Sequence, residues 1–222
     1  MKDKFNMIRE DNLDYAKRNL VDSIWKTANI EGILATFPQT QAILDGLSVD
    51  GLKMDEQNQI LNLRDAWYFA FDHIEYPLDL NFISKINQEV GERKQIINAG
   101  VLRTYSVKMG GTSWIPEIPD SEQVKEELNQ ILNEDISVTE RAINLMAWCC
   151  KKQLFRDGNK RTATIITNKY LIENGRGILA IPQNFKIEFG EKLIAYYETN
   201  DIRPLKQFLY DKCLDGIAYQ ND

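Results

Sequence analysis

Apolar residues recur at helical spacing along almost the whole chain. Leu13, Ala16, Leu20, Ile24 and Ala28 fall on one face with no proline before Pro38, and predict one helix over residues 5–35. Residues 38–51 read as a connection, with Gly46 and Gly51 as breakers and a short helix over 39–44. Ile60, Leu63, Trp67, Phe71 and Ile74 form a core-facing stripe over 52–76 that Pro77 ends, and Leu80, Ile83, Ile86 and Val90 mark the next helix. Residues 101–116 break the pattern. They read as two extended arms around Gly110 and Gly111, a hairpin and the only convincing β segment. Helical spacing resumes over 121–132, with Ser121 as its cap, and then in Val138, Ala142, Leu145, Met146 and Cys149. It returns in Ala163, Ile166 and Tyr170, with Ile165 and Ile172 on a second face. A breaker region from Asn174 to Pro182 precedes a helix from 184 towards 197. The fold class expected is all-α with one hairpin.

Composition narrows the function. The 222 residues are 43% hydrophobic and 27% charged, ordinary for one globular unit with room for a helical extension. The net charge of −6 argues against a general nucleic-acid surface or an anionic membrane surface as partner. No apolar run approaches the ~20 residues of a membrane helix, and no signal-peptide core follows the start, so a cytoplasmic protein is expected. Cys149, Cys150 and Cys213 have no zinc or disulfide spacing and read as reduced core thiols. A single histidine, His73, excludes a multi-histidine metal site and reads as structural or surface. Oligomeric state is not legible.

Between the two helices that start near 138 and 160 lies Gln153-Leu154-Phe155-Arg156-Asp157-Gly158-Asn159-Lys160-Arg161. Gly158 suits a turn, Asn159 a helix cap, and two cations follow at once. Free N–H groups, the positive end of a helix dipole and adjacent Lys160 and Arg161 suit a phosphate chain. Asp157 at the rim suits Mg²⁺, which takes oxygen ligands beside phosphates. The alternative is a capped helix with a solvated basic first turn.

This stretch resembles the signature of the Fic/Doc family, His-x-Phe-x-(Asp/Glu)-(Gly/Ala)-Asn-(Gly/Lys)-Arg, at every defined position except the first. The resemblance implies a Fic fold: a helical bundle over residues 55–214 with a β-hairpin flap, an N-terminal helical extension over 1–54 and a tail over 215–222. It implies AMP transfer from ATP, with Mg²⁺, to the hydroxyl of a target protein docked at the flap, around Thr104, Tyr105, Ser106 and Val107. Gly158, Asn159, Lys160 and Arg161 would bind the nucleotide, Asp157 the metal, and Tyr197 would either border the adenine or pack in the core. Catalysis would rest on Asn159, Arg161 and position 153. In the family that first position is the histidine that serves as general base, and Gln153 cannot take a proton near neutral pH. Loss of a general base implies a rate lower by roughly 10²–10⁴. Thr27, Glu31 and Gly32 resemble the family's inhibitory (Ser/Thr)-x-x-x-Glu-(Gly/Asn) motif. The second arginine that commonly pairs with the inhibitory glutamate is replaced by Thr164, so Glu31 would pair with Lys160 or Arg161 or have no role. Two alternatives stay open: an inactive nucleotide-binding sensor or interaction module, and a Doc-like phosphoryl transferase.

Overall fold

A computed structural model describes residues 1–219, and the end of the expected 215–222 tail lies outside the described residues. The chain is mostly helical. Ten α-helices run in the order α1 Arg9–Arg18, α2 Leu20–Ile30, α3 Phe37–Leu44, α4 Met54–Asp72, α5 Leu80–Gly91, α6 Ser121–Asn133, α7 Val138–Lys152, α8 Asn159–Glu173, α9 Lys186–Thr199 and α10 Arg203–Lys212. Two short strands, β1 Ile178–Leu179 and β2 Leu214–Asp215, pair antiparallel.

The centre is α8. Every residue from Arg161 to Ile172 is buried, because α1, α4, α5, α7 and β1 all pack on it. A helix apolar on more than one face must lie inside, as the two faces read from Ala163 to Ile172 require. Its polar residues earn burial by bonding: Asn168 donates to Leu179 O and accepts from Leu179 N, both at 2.8 Å, which fixes β1. Residues from α1, α2 and α3 share one hydrophobic core with those of α4 to α10.

Three local expectations are corrected. The first helix is two, broken at Asn19, whose side chain donates back to Tyr15 O at 2.9 Å and whose backbone leaves helical geometry. The cap of α6 is Asp120, not Ser121; its carboxylate accepts from Glu122 N and Gln123 N. Residues 101–116 fold back through a turn at Gly110 and Gly111 but form no paired hairpin strands. Among the described residues, the only ladder contact of this flap is an isolated bridge from Leu102 to Phe155 in the loop before α8. A buried guanidinium replaces the missing ladder: Arg103, 3% exposed, donates to Tyr105 O, Pro116 O and Glu117 O and so ties the two arms together.

Candidate functional site

Residues 153–161 run from the end of α7 into α8. Gln153 caps α7 in the left-handed region, at φ 49° and ψ 57°. Its side chain turns inward, is 8% exposed and is engaged at both ends: Nε2 donates to Cys150 O at 2.7 Å and Oε1 accepts from Asn159 Nδ2 at 3.1 Å. The amide therefore serves as a structural brace in this conformation.

Asn159 is the first residue of α8 rather than its cap. The cap position is Gly158, with φ 76°, and no side chain caps the helix. The Asn159 side chain instead closes the loop, accepting from Phe155 N at 3.0 Å and donating to Phe155 O at 2.8 Å. Gly158 is required twice over. Its φ is left-handed, and an added Cβ would stand 2.9 Å from Ile96 Cδ1 and 3.0 Å from Val90 Cγ1.

Two polar residues that sequence reasoning missed hold this loop. Asn87, fully buried in α5, donates to Asp157 O and Thr162 Oγ1 and accepts from Gly100 N at 2.8 Å. A polar residue between Ile86 and Val90 on the core stripe was the available signal. Arg103 reaches the loop from the flap: its Nε donates to Gln153 O at 2.6 Å, and its backbone N donates to Leu154 O at 3.0 Å. Nothing in the sequence around Arg103 marked it.

The charged end of the site is crowded. Arg161, 4% exposed, directs Nη2 at Asp157 Oδ1, 3.3 Å away. Asp157 Oδ1 also accepts from Gly158 N, and the aspartate side chain remains 63% exposed. Glu31 comes from the end of α2. Its Oε1 lies 3.2 Å from Lys160 Nζ and its Oε2 lies 3.6 Å from Arg161 Nε. Neither approach has hydrogen-bond geometry, and Glu31 Oε1 and Arg161 Nε are buried without hydrogen-bond partners. A carboxylate at a helix C-terminus opposes the dipole, so α2 gains from meeting the positive end of α8. Gly32, at φ 96°, ends α2, and Ile33 N donates to Ala28 O, which fixes the turn that presents Glu31. Thr27 is buried and donates to Ser23 O, and Thr164 lines the same tight space as Glu31 and Lys160.

Tyr197 packs in the core. Its hydroxyl donates to Cys150 O at 3.0 Å, and burial pushes its pKa up. Trp114 of the flap stacks on its ring at 5.0 Å and 23°, so a base reaches that ring only if Trp114 moves. Thr112 pins the flap further by donating to Glu198 Oε1 at 2.8 Å. Thr104, Tyr105 and Ser106 are exposed and Val107 is half-buried.

The geometry thus gathers Gln153, Asp157, Gly158, Asn159, Lys160, Arg161 and Glu31, and Tyr197, its ring stacked on Trp114, shares the Cys150 carbonyl with Gln153. It supplies cations and helix N–H groups for an anion, with a carboxylate already against them. Among the described residues no cluster of three or more His, Cys, Asp or Glu is placed to hold a metal ion alone.

Residues 77–171 match the sequence model of the Fic/DOC family. The chain is 29% identical over 221 residues to the Drosophila sechellia protein named protein adenylyltransferase Fic, and equally to its Drosophila melanogaster counterpart. Each match takes in 95% of this chain and 44% of the relative, so the chain spans less than half the length of these curated relatives. Among solved structures, Fic-1 from C. elegans superposes with a TM-score of 0.75 at 23% identity, over 88% of this chain and 62% of that one. A Fic domain containing signaling protein from Bacteroides thetaiotaomicron does so with 0.73 at 20% identity, over 91% and 85%. The fold is the Fic fold.

Proposed function

We infer, for a chain whose residues 77–171 are of the Fic/DOC family, AMP transfer from ATP to a hydroxyl of a partner protein, checked by Glu31 and slowed by Gln153. The observation that carries this reading is Glu31 lying against both Lys160 and Arg161 at the start of α8. The relatives' name, protein adenylyltransferase, supports the reaction type. A phosphate chain would take the place of the Glu31 carboxylate. Because Glu31 is held by charge without directional hydrogen bonds, an anion with more oxygens has the stronger claim on the same cations.

In the reaction, the hydroxyl oxygen would bond to the α-phosphorus while the bond to the bridging oxygen breaks and pyrophosphate leaves. The hydroxyl proton would pass to water, because an amide at position 153 does not accept it. Positioning and charge neutralisation would carry what rate remains. Asp157 suits Mg²⁺: its carboxylate is exposed, and only Oδ1 is engaged by Gly158 N and Arg161. One carboxylate with substrate phosphates is a usual Mg²⁺ environment, and the ion would neutralise phosphate charge. Three unpaired thiols fit the reduced cytoplasm that the reading assigns.

A second reading, nucleotide binding without transfer by a sensor or interaction module, is favoured by the inward Gln153 amide. Calorimetric titration of ATP with Mg²⁺, paired with α-labelled ATP, separates the two. Adenylyl transfer predicts weak label on a protein hydroxyl, stronger in Glu31→Gly, and stronger by about 10²–10⁴ in Gln153→His. The sensor reading predicts binding with no label in wild type or Glu31→Gly. Label from the γ position alone would mark phosphoryl transfer instead. Arg161→Ala should abolish binding under every nucleotide reading, and failure of both wild type and Glu31→Gly to bind ATP overturns them all.

A further inference from the structure

Behind the flap, away from Glu31 and Lys160, a cleft of about 450 Å³ opens between α6, the flap arm 114–117 and the C-terminal ends of α7 and α9. Trp114, Trp148 and Tyr196 give it aromatic walls. One pair of charges in it is neutralised: Lys152 Nζ lies 2.7 Å from Glu127, whose other oxygen accepts the Trp148 indole N–H at 2.7 Å.

Lys151 is different. Its Nζ donates to Asn200 Oδ1 at 2.7 Å and to Tyr196 O at 3.1 Å, both neutral acceptors. It stands 4.5 Å from the Tyr196 ring centroid and 5.5 Å from that of Trp114. Among the described residues no carboxylate comes within salt-bridge distance of it, whereas Lys152 beside it has one. An ammonium carries three N–H groups, so one remains for a ligand. Burial lowers the Lys151 pKa and no neighbouring charge raises it, as expected of a cation without a counter-ion.

The rim suits a polypeptide. Residues 113–118 of the flap make no backbone-to-backbone hydrogen bond, and Ile115 and Ile118 are 53% and 52% exposed. Arg103 takes the Pro116 and Glu117 carbonyls, but among the described residues the Ile115 and Ile118 N–H groups and the Trp114 and Ile115 carbonyls have no partner, and free backbone beside a side-chain pocket suits a strand-like segment. Glu117, exposed on the flap side of the cleft, disfavours a carboxylate there and leaves the Lys151 end for it.

We propose that this cleft binds an extended protein segment bearing an aromatic side chain next to a carboxylate, the ring among Trp114, Trp148 and Tyr196 and the carboxylate on Lys151. The proposal deepens the functional reading, since such a segment would belong to the protein docked at the flap.

Fluorescence anisotropy with three labelled ten-residue Gly/Ser peptides, centred on Phe-Asp, Ala-Asp and Phe-Lys, tests it. The Phe-Asp peptide should bind more tightly than either control by about tenfold or more, the scale of a charge-assisted hydrogen bond or a buried ring. Lys151→Met should erase the preference over Phe-Lys while keeping that over Ala-Asp, and Lys151→Arg should keep both, which guards against a misfolded variant. Glu117→Gln should tighten binding of the Phe-Asp peptide by a few-fold. Equal affinity for all three peptides, no saturable binding, or a preference for Phe-Asp over Phe-Lys that survives Lys151→Met would overturn it. ATP titration of the same samples separates the two ideas: peptide preference without ATP binding sinks only the transferase reading, and the reverse sinks only this one.

Discussion

At Gly158 the loop leaves room for a hydrogen and nothing more. Gly158→Ala would force a methyl group against Ile96 and Val90 at a left-handed φ, and should destabilise the protein by about 1–3 kcal/mol in urea unfolding. Asn87→Ala should cost a similar amount, because Gly100 N and Asp157 O would lose a buried partner. The cysteines make a separate prediction. All three are buried, and burial pushes the Cys150 and Cys213 thiols up to about 12, so a thiol reagent at mild alkaline pH should find almost none until the protein is unfolded. What was legible at this scale was residue type and not direction. The motif named Gln153 and Asn159, but only packing could show that both amides turn inward and bond to each other. Glu31 was legible with its partners, because losing the second arginine at Thr164 left Lys160 and Arg161 as its cations.

Among the elements, the long helices were readable because each buries a periodic stripe against the rest, and α8 more than one. The flap was not, because its conformation comes from one side chain. Arg103 substitutes carbonyl-to-guanidinium contacts for a strand ladder, and no periodicity encodes that. Arg103→Met should therefore loosen both arms while the helices stay folded, seen as faster amide exchange over 104–117 and unchanged far-ultraviolet circular dichroism. Cleavage by a protease within the flap should quicken in parallel. The caps were half legible: Ser121 was read as the cap of α6, and the side chain that reaches the free N–H groups is that of Asp120 before it. Asp120→Ala should cost about 1 kcal/mol.

For the whole molecule, the extension and the bundle act together. Asn12 of α1 clamps Gly177 just before β1, donating to its carbonyl at 3.1 Å and accepting from its N–H, with both groups buried. Glu140 of α7 meets Lys206 of α10, and chiefly that hydrogen bond holds its carboxyl below the usual range. A carboxyl lowered in the folded state contributes stability above its unfolded pKa of about 4.3, and that contribution is lost as pH falls through the folded value. Glu140→Gln should thus destabilise near neutrality by no more than about 1 kcal/mol after solvent screening, with the difference from wild type shrinking in acid. The contact of Glu31 with Lys160 and Arg161 spans the same two parts of the chain and makes them thermodynamic partners. An anion that captured these cations would have to displace the Glu31 side chain, and by linkage whatever loosened the end of α2 would raise affinity for that anion by an equal factor. Occupancy at the head of α8 would then be readable as exchange protection over residues 20–33, and the first helices would serve as the molecule's own gauge of what it holds.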